Sequence, residues 1–285
     1  MQGWDSPMTS DSLPPLREVI AKYDLMARRA LGQNFLLDLN VTAKIARAAG
    51  DLSTGTTIEI GPGPGGLTRA LLSHGAREVI AIERDARCLG ALAEIAAAYP
   101  GKLTVIEGDA LAVDCAKLGA APRRIVANLP YNIATPLIIK WLQQGAALAS
   151  LTVMVQKEVA DRLIASPRTK DYGRLSVLAQ FLSKPRRLFD LPPRAFVPAP
   201  KVTSTVMELR PLSEPAFPAR LADLERATQA AFGQRRKMLR QSLRSLGGDT
   251  EALMAAAEIT PTARAEELTV AQFAALARVL ERQRS

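Results

Sequence analysis

Residues 57–73 read Thr-Ile-Glu-Ile-Gly-Pro-Gly-Pro-Gly-Gly-Leu-Thr-Arg-Ala-Leu-Leu-Ser. The first four residues predict a short apolar strand, and residues 67–73 predict a helix. Between them, glycines 61, 63 and 66 form the pattern Gly-x-Gly-x-x-Gly, which allows a ligand to approach the backbone closely at a strand-to-helix turn. The stretch therefore predicts an α/β fold with a cofactor at the carboxyl end of this strand.

The glycine pattern alone does not separate a dinucleotide site from an S-adenosylmethionine site. Glu59 lies two residues before the first glycine, where its charge would repel a pyrophosphate but not a cationic sulfonium. Pro62 and Pro64 remove two backbone N–H groups that a pyrophosphate cradle could use. Both details favour S-adenosylmethionine.

Polar residues also end the next two predicted strands. Glu83 lies 22 residues after Gly61, at the position where a carboxylate can bind both hydroxyls of a ribose. Asp109 follows the third strand and can accept a hydrogen bond from an adenine amino group. Because ligands of parallel sheets gather at the carboxyl ends of the strands, these residues are expected to share one site.

The fourth predicted strand ends in Asn128-Leu-Pro-Tyr131. An aromatic amine is a poor nucleophile, because its lone pair is delocalised into the ring. The Asn128 oxygen and a neighbouring backbone carbonyl can hold the two amine protons, in a turn that Pro130 stiffens. Tyr131 can stack on a base withdrawn from its helix. The motif predicts alkylation of an amine such as adenine N6 without a general base; an ordinary strand-to-turn segment is the alternative.

Strands and helices alternate over the first two thirds of the chain. Strands are predicted at 57–60, 78–83, 103–106, 124–127, 151–156, 187–189 and 203–209. Helices are predicted at 16–31, 38–49 (with Asp38 as N-cap), 67–73, 86–98, 135–144, 157–165 and 173–183. This alternation predicts a mostly parallel sheet covered on both faces. From about Pro211 only helices are predicted, at 220–232, 234–246, 250–258 and 269–282. We therefore predict a cofactor-binding domain at 1–210 and a small helical domain at 211–285.

The net charge of +9 is concentrated in one part of the chain. Residues 186–246 contain twelve basic and five acidic residues, which predicts a polyanionic partner. In the helix predicted at 234–246, Arg236, Arg240 and Arg244 would share one face, with leucines on another. This face is predicted to contact phosphates, and a merely solvated basic face is the alternative.

The scarcity of histidine and cysteine excludes several kinds of site. His74 is the one histidine, which argues against Ser-His-Asp hydrolysis and histidine-rich zinc sites. Cys88 and Cys115 lie far apart and form no metal-binding pattern, so no metal is expected. The sequence has no run of 18 apolar residues and no signal or transit peptide in its acidic N-terminus, so a cytoplasmic protein without a membrane partner is expected.

Further motifs add specificity. They are Leu31-Gly-Gln-Asn-Phe-Leu36, Glu59-Ile-Gly-Pro-Gly-Pro-Gly-Gly-Leu-Thr68, Gly108-Asp109, Asn128-Leu-Pro-Tyr-Asn-Ile-Ala-Thr-Pro136, Gln156-Lys-Glu-Val-Ala160, Arg174-Leu-Ser176, Pro193-Arg-Ala-Phe-Val-Pro198, Pro200-Lys-Val-Thr-Ser204 and Arg235-Arg-Lys237. With them the chain resembles, over nearly its full length, the bacterial small-subunit (16S) ribosomal RNA adenine N6,N6-dimethyltransferases. The resemblance implies a Rossmann-like class I methyltransferase with a mostly parallel seven-stranded sheet, an antiparallel last strand and a small C-terminal all-helical domain.

The resemblance also implies a function. It implies a cytoplasmic, monomeric enzyme that uses S-adenosylmethionine to dimethylate N6 of two adjacent adenosines near the 3′ end of 16S rRNA. The substrate would be the 30S subunit or its precursor, with a role in 30S biogenesis.

The expected site residues follow from the motifs together with the resemblance. The cofactor is expected to contact Gln33, Asn34, Leu36, Gly61, Gly63, Glu83, Arg84, Asp109, Ala110 and Asn128. The expected catalytic residues are Asn128, Leu129, Pro130, Tyr131 and Phe196. Phe196 is expected on a stiff, partly exposed loop, stacked on the adenine opposite Tyr131, and a buried anchor of this loop is the alternative. The domain at 1–210 is expected to bind S-adenosylmethionine and carry out catalysis, and the helical domain at 211–285 is expected to bind RNA. RNA contacts are expected at Arg235, Arg236, Lys237, Arg240 and Arg244.

Other functions share parts of the pattern. Large-subunit rRNA adenine N6-methyltransferases of the macrolide-resistance type share the Asn-x-Pro-Tyr core, but residues 193–204 favour the small-subunit enzymes. A DNA adenine methyltransferase would need a sequence-reading domain, and none is visible. A nicotinamide dehydrogenase could use the same glycine loop. A non-catalytic ribosome assembly factor is a further alternative, against which the intact Asn-Leu-Pro-Tyr motif argues.

Overall fold

The computed structural model describes residues 13–27 and 33–283. Its contacts divide the chain into two compact units, Met1–Lys157 with Arg186–Pro211, and Glu158–Pro185 with Leu212–Ser285. The predicted boundary near residue 211 therefore differs from this division for residues 158–185. These residues group with the C-terminal helices because contacts such as the hydrogen bond from the Tyr172 hydroxyl to the Leu268 carbonyl, 2.8 Å, hold them there. The assignment of separate functions to two domains remains a prediction.

The first unit is built on a mostly parallel sheet. Among the described residues the strands are β1 (Phe35–Leu36), β2 (Thr56–Ile60), β3 (Val79–Glu83), β4 (Leu103–Glu107), β5 (Arg123–Asn128), β6 (Ser150–Gln156), β7 (Ser183–Leu191), β8 (Phe196–Val197) and β9 (Ser204–Pro211). Seven of them form one sheet in the order β4-β3-β2-β5-β6-β9-β7, and β1 pairs with β8 separately. Neighbours from β4 to β6 pair in parallel, whereas β9 is antiparallel to β6, as expected.

The central strands are buried on both faces of the sheet. Every residue of β2 and β3 is buried, which is the pattern of interior parallel strands. The helices of this unit are α1 (Leu16–Lys22), α2 (Leu39–Ala48), α3 (Gly66–Ser73), α4 (Leu89–Ala98) and α5 (Ala134–Leu142). Strand order reverses at β2, since β3 lies on one side of it and β5 on the other. A crevice for ligands opens at the carboxyl ends of strands beside such a reversal.

The helix predicted at 16–31 is much shorter in the structure. Asp24 adopts a positive φ of 49°, and the backbone N–H of Leu25 donates to the Ile20 carbonyl at 2.9 Å. This arrangement is a left-handed C-terminal cap, which ends the helix. The part of the prediction at 28–31 lies outside the described residues. The predicted N-cap of α2 is confirmed, because the Asp38 carboxylate accepts from the backbone N–H of Asn40 at 2.8 Å.

The second unit is helical. Its helices are α6 (Lys157–Ile164, of which Lys157 belongs to the first unit), α7 (Arg174–Leu182), α8 (Leu221–Gly233), α9 (Leu239–Ser242), α10 (Thr250–Ala256) and α11 (Val270–Arg282). Across residues 13–27 and 33–283, every helix is too short or too polar to span a bilayer.

The single helix predicted at 234–246 is wrong. A turn occupies residues 234–237, the short helix α9 follows, and residues 243–246 form a 3₁₀ turn. The backbone N–H of Leu239 donates to the Ala263 carbonyl at 2.8 Å, and the Leu239 and Leu243 side chains are fully buried. The pairing of Met238 and Leu239 with residues 263–264 interrupts the helix predicted at 234–246.

Candidate active site

One cavity opens where β2, β3, β4 and β5 end. All ten residues expected to contact the cofactor line it, namely Gln33, Asn34, Leu36, Gly61, Gly63, Glu83, Arg84, Asp109, Ala110 and Asn128. Leu129 and Pro130 also line the cavity, whereas Tyr131 and Phe196 do not. The structure thus brings together polar residues from four strand ends and the segment before β1.

The glycine loop after β2 combines tight packing with open space. Gly61, Gly63 and Gly65 have positive φ values of 65°, 56° and 87°. A Cβ atom on Gly65 would lie 2.1 Å from Cδ1 of Ile95, so a larger residue there would force this side chain of α4 to move. A Cβ on Gly61 would meet no atom within 4 Å. Gly61 therefore leaves its backbone accessible to a ligand in the cavity.

The N–H groups of this loop are not free for a phosphate. Gly61 donates to the Ile82 carbonyl at 2.9 Å, and Gly65 donates to the Pro62 carbonyl at 3.0 Å. Gly63 donates to the Glu83 carboxylate at 2.9 Å, and the two prolines have no N–H. Residues 61–65 thus lack the free amides that cradle a pyrophosphate in dinucleotide sites.

Glu83 presents a carboxylate fixed by the backbone. Its Oε2 accepts from the N–H of Gly63, and its Oε1 accepts from the N–H of Asp85 at 2.7 Å. The residue is 5% exposed, and burial raises the pKa of its carboxyl above the usual range. Each oxygen keeps a lone pair beyond the one used by the backbone. Glu83 can therefore accept hydrogen bonds from two adjacent hydroxyls.

Asp85 anchors the segment before β1 and was not predicted from the sequence. Its carboxylate accepts from the Gln33 side chain at 3.0 Å and from Arg87 Nη2 at 2.6 Å. Arg87 also donates to the Asp24 carbonyl at 3.0 Å. The hydrogen bond from Arg87 lowers the pKa of Asp85 to about 2. The available sequence signal was its position as N-cap of the 3₁₀ turn at 86–88.

Asn128 joins the fourth strand end to the same segment. Its Nδ2 donates to the backbone carbonyl of Asn34 at 2.9 Å. This bond identifies which end of the amide carries the nitrogen, and it leaves the oxygen at the other end for another partner. The residues after Asn34 are held as well, because β1 pairs antiparallel with β8 and places Leu36 opposite Phe196.

Asp109 forms the turn after β4. Its Oδ1 accepts from the backbone N–H of Leu111 at 2.9 Å, and its Oδ2 lies 3.4 Å from Nη1 of Arg84. Gly108 and Ala110 flank it in the cavity wall. Because the Arg84 side chain is 70% exposed, this ion pair is solvated and weak. The second oxygen of Asp109 can therefore accept a hydrogen bond from a ligand.

Tyr131 lies beside the cavity. Its hydroxyl forms a hydrogen bond of 2.8 Å with the Ser204 hydroxyl, and partial burial raises the pKa of the phenol. The ring is half-buried rather than free. Its predicted role in stacking on a base stays a prediction.

The expected exposure of Phe196 is wrong. Its side chain is only 3% exposed and packs in the apolar core with Leu36, Leu191 and Val206. Pairing of β8 with β1 turns the ring inward, since the next residue, Val197, takes the exposed side of this two-stranded sheet. Prolines were expected to stiffen this loop, but stiffness did not indicate the direction of the ring.

Glu59 is deeply buried, which changes its predicted effect on a pyrophosphate. The side chain is 1% exposed, and burial, together with the nearby Glu83 charge, raises the pKa of its carboxyl to about 8. Its Oε2 has no hydrogen-bond partner among the described residues. The predicted repulsion of pyrophosphate therefore applies only to the ionised minority at neutral pH. The N–H groups of Gly61, Gly63 and Gly65 are already bonded within the protein, and this disfavours a dinucleotide more strongly than the charge of Glu59 does.

The basic residues expected to contact RNA all lie in the second unit, on its exposed surface. Arg236 and Lys237 lie in the turn at 234–237, and Arg240 and Arg244 follow at helical spacing. Arg235 differs, because its guanidinium donates to the carbonyls of Lys170, at 3.1 Å, and Tyr172. It therefore also holds this unit together. Within residues 13–27 and 33–283, no group of three or more His, Cys, Asp or Glu side chains could hold a metal ion.

Comparisons with known proteins support one family. The sequence model described as ribosomal RNA adenine dimethylase matches residues 25–282. The chain is 65% identical to ribosomal RNA small subunit methyltransferase A of Rhodospirillum rubrum, over 95% of this chain and 94% of the relative. It is 61% identical to the protein of the same name in Paracoccus denitrificans, over 95% and 97% of the two chains.

Two solved structures share the fold. The 23S rRNA methyltransferase ErmE is 29% identical, with a TM-score of 0.64 over 87% of this chain and 100% of that chain. A dimethyladenosine transferase from Plasmodium falciparum is 24% identical, with a TM-score of 0.72 over 86% and 97% of the chains. These findings confirm the Rossmann-like class I methyltransferase fold and the expected enzyme class, an S-adenosylmethionine-dependent rRNA methyltransferase. The chain belongs to the ribosomal RNA adenine dimethylase family.

Proposed function

We propose that this enzyme dimethylates N6 of two adjacent adenosines near the 3′ end of 16S rRNA, in the small ribosomal subunit or its precursor. The observation that carries the proposal is the orientation of Asn128. Because its nitrogen is bound to the Asn34 carbonyl at 2.9 Å, its oxygen is the end that can accept a hydrogen bond from an exocyclic amine. Asn128 also lines the cavity that fits the cofactor.

The residues of the cavity fit S-adenosylmethionine. Glu83 would accept from the two ribose hydroxyls, Asp109 from the adenine amino group, and Gly61 would allow close approach of the methionine end. Residues 33–36 would form the part of the wall next to Asn128. The cofactor, when bound, supplies a methyl group on a positively charged sulfur.

The protein's own contribution to the reaction is orientation. The Asn128 oxygen and a backbone carbonyl of the 128–131 turn accept hydrogen bonds from the two amine N–H groups, which turns the nitrogen lone pair out of conjugation with the ring. Tyr131 would support the face of the base. No side chain is required to remove a proton before attack. The methylated amine loses its extra proton afterwards, to water.

The small-subunit target is favoured over the large-subunit alternative. Relatives named ribosomal RNA small subunit methyltransferase A are 58–65% identical to this chain, whereas the 23S rRNA methyltransferase ErmE is 29% identical. The motif at 193–204 points the same way. We therefore propose 16S rRNA in 30S particles as the partner, and the cytoplasm as the place where the enzyme meets it.

The basic turn and short helix of the second unit are the proposed RNA contact. Arg236, Lys237, Arg240 and Arg244 lie on the surface, and side chains of this kind neutralise phosphates. We propose further that the enzyme acts as a monomer, which sedimentation of the purified protein at assay concentration would check.

The decisive experiment methylates unmodified ribosomal particles. Purified 30S subunits lacking the modification and purified 50S subunits are each incubated with the enzyme and S-adenosylmethionine carrying a labelled methyl group. Nucleosides from the digested RNA are then identified. We expect N6,N6-dimethyladenosine from the 30S subunit alone. Label found in 50S RNA, or on a base other than adenine, would overturn the proposal.

A further inference from the structure

Lys140 makes an unusual set of contacts close to the cavity. It lies on α5, the helix that begins just after the Asn128-Leu-Pro-Tyr131 turn. Its ammonium donates to three backbone carbonyls, those of Ala110 at 3.3 Å, Leu111 at 2.5 Å and Val113 at 2.7 Å. An ammonium has three N–H donors, so these carbonyls use all of them.

The three carbonyls belong to the loop that carries Asp109. Within this loop, Leu111 donates to the Asp109 carboxylate at 2.9 Å and Ala112 to the Asp109 carbonyl at 2.9 Å. The loop N–H groups are thus turned toward Asp109, which leaves carbonyls on the side of Lys140. Carbonyl dipoles that converge on one point repel each other, and a cation at that point offsets the repulsion with charge-assisted hydrogen bonds.

We propose that Lys140 is a positioning residue for the reaction. It fixes loop 109–113 to α5. In this way it sets the distance from the proposed cofactor-binding residues Asp109 and Ala110 to the Asn128-Leu-Pro-Tyr131 turn, which precedes α5. Lys140 itself does not line the cavity, so it acts through the loop. The inference rests on the cofactor site proposed above.

A purely structural role for Lys140 predicts a different result. If Lys140 only stabilised the fold, its loss would lower the melting temperature and leave the cofactor affinity of the folded molecules intact. If Lys140 positions the loop, its loss acts locally on the cavity wall. Misplacement of a binding group by about 1 Å can reduce function by about 100-fold.

The test uses Lys140→Met, which keeps the aliphatic stem but removes the charge and the donors. Lys140→Arg retains a cation and should restore part of the function. Lys117→Met is a matched control, because Lys117 also bears one positive charge near this loop, but its side chain is 83% exposed and faces Asp114 at 3.4 Å.

Affinity for S-adenosylmethionine and for S-adenosylhomocysteine is measured by calorimetry. The melting temperature and the rate of hydrogen exchange at residues 111–113 are measured on the unliganded protein.

We expect Lys140→Met to weaken both ligands about tenfold or more, to speed exchange at residues 111–113, and to change the melting temperature little. Lys117→Met should match the wild type. Wild-type affinity in Lys140→Met would overturn the positioning role, and so would weaker binding that is explained wholly by unfolding. Glu83→Ala serves as the reference for the site itself: if it too binds like the wild type, the proposed cofactor site fails, whereas loss of binding in Glu83→Ala alone rejects only the role of Lys140.

Discussion

The side-chain nitrogen of Asn128 donates a hydrogen bond of 2.9 Å to the backbone carbonyl of Asn34. One residue of the Asn128-Leu-Pro-Tyr131 turn is therefore held by the segment at 33–36, which also lines the cavity. The bond gives Asn128 a definite orientation before any ligand is present, and orientation of this kind is how a site activates a weak nucleophile without a base.

Asn128→Ala should fold normally and lose about 100-fold or more in turnover, as happens when one oriented polar group is removed from an active site. Asn128→Asp should be at least as inactive, because a carboxylate oxygen would face the Asn34 carbonyl and the donor would be gone. Methyl transfer to 30S particles is measured at saturating cofactor, with cofactor affinity determined alongside. Near-wild-type turnover in Asn128→Ala would refute the role.

Glu83→Ala should weaken S-adenosylmethionine binding at least about tenfold, since hydrogen bonds to a charged group contribute about 1.5–3 kcal/mol. Glu107→Ala is the matched control: Glu107 is the register partner of Glu83 on β4, but it is exposed and does not line the cavity. Calorimetry should show a loss for the first variant only. Equal effects of the two substitutions would contradict a specific ribose contact.

Glu59 should make stability depend on pH. Its pKa is about 8 in the folded protein against an ordinary value of 4.5, so the folded state holds a proton that the unfolded state has released over this range. The contribution of Glu59 to stability is then fully present below about pH 4.5 and is lost as the pH rises toward 8, with a slope of at most about 1.4 kcal/mol per pH unit. Glu59→Gln should remove this dependence, as measured by denaturant unfolding at several pH values. An unchanged pH profile in the variant would show that other groups cause it.

The same proton should be linked to the cofactor. A cation in the cavity favours the carboxylate of Glu59, so S-adenosylmethionine binding near pH 7 should release protons. Calorimetry in buffers of different ionisation enthalpy measures this release. Glu59→Gln should reduce it, and release that is the same in both proteins would assign it to another group.

Reversing Arg236, Arg240 and Arg244 to Glu should weaken binding to 30S particles or to 16S rRNA. The slope of log affinity against log salt should become flatter by roughly 0.7–0.9 for each lost phosphate contact. Lys102→Glu is the control, because Lys102 is exposed in the first unit. An unchanged slope after the triple reversal would show that these residues do not contact phosphates. Arg235 is left intact because it holds residues 170 and 172.

Phe196→Ala should destabilise the first unit by about 3–5 kcal/mol, the usual result of removing a buried phenylalanine ring. Phe196→Leu should cost less, because it refills most of the volume. Unfolding by denaturant measures the effect, and methyl transfer per folded molecule is measured in parallel. If Phe196→Ala keeps its stability but loses methyl transfer, the ring serves the adenine rather than the core.

Much of the site could be predicted from sequence because a parallel sheet places the carboxyl ends of its strands together. Glu83 and Asn128 end two of these strands and Asp109 follows a third, and each could be recognised from its own short motif. Asn34 and Leu36 could not be found that way; only resemblance to a family pointed to them, since their place depends on bonds to Asn128 and on pairing with β8.

The errors have a common physical origin. The inward direction of Phe196, the anchoring by Asp85 and the contacts of Lys140 all depend on partners distant in sequence, which local patterns do not reveal. The prediction of a single basic helix at 234–246 was wrong for the same reason, because the backbone N–H of Leu239 bonds to the distant carbonyl of Ala263. Local spacing predicted where polar and apolar residues occur, but long-range pairing decided which of them meet.

The pairing of β1 with β8 affects the order in which parts of the cavity can form while the enzyme is being synthesised. A nascent chain leaves the ribosome from its N-terminus, so residues 33–36 emerge early, whereas their partners at 196–197 emerge only after most of the sheet has been synthesised. Until then the wall formed by Asn34 and Leu36 has no strand to pair with. An enzyme that modifies ribosomal RNA thus completes this wall of its cavity only after residues 196–197 of its own chain have left the ribosome.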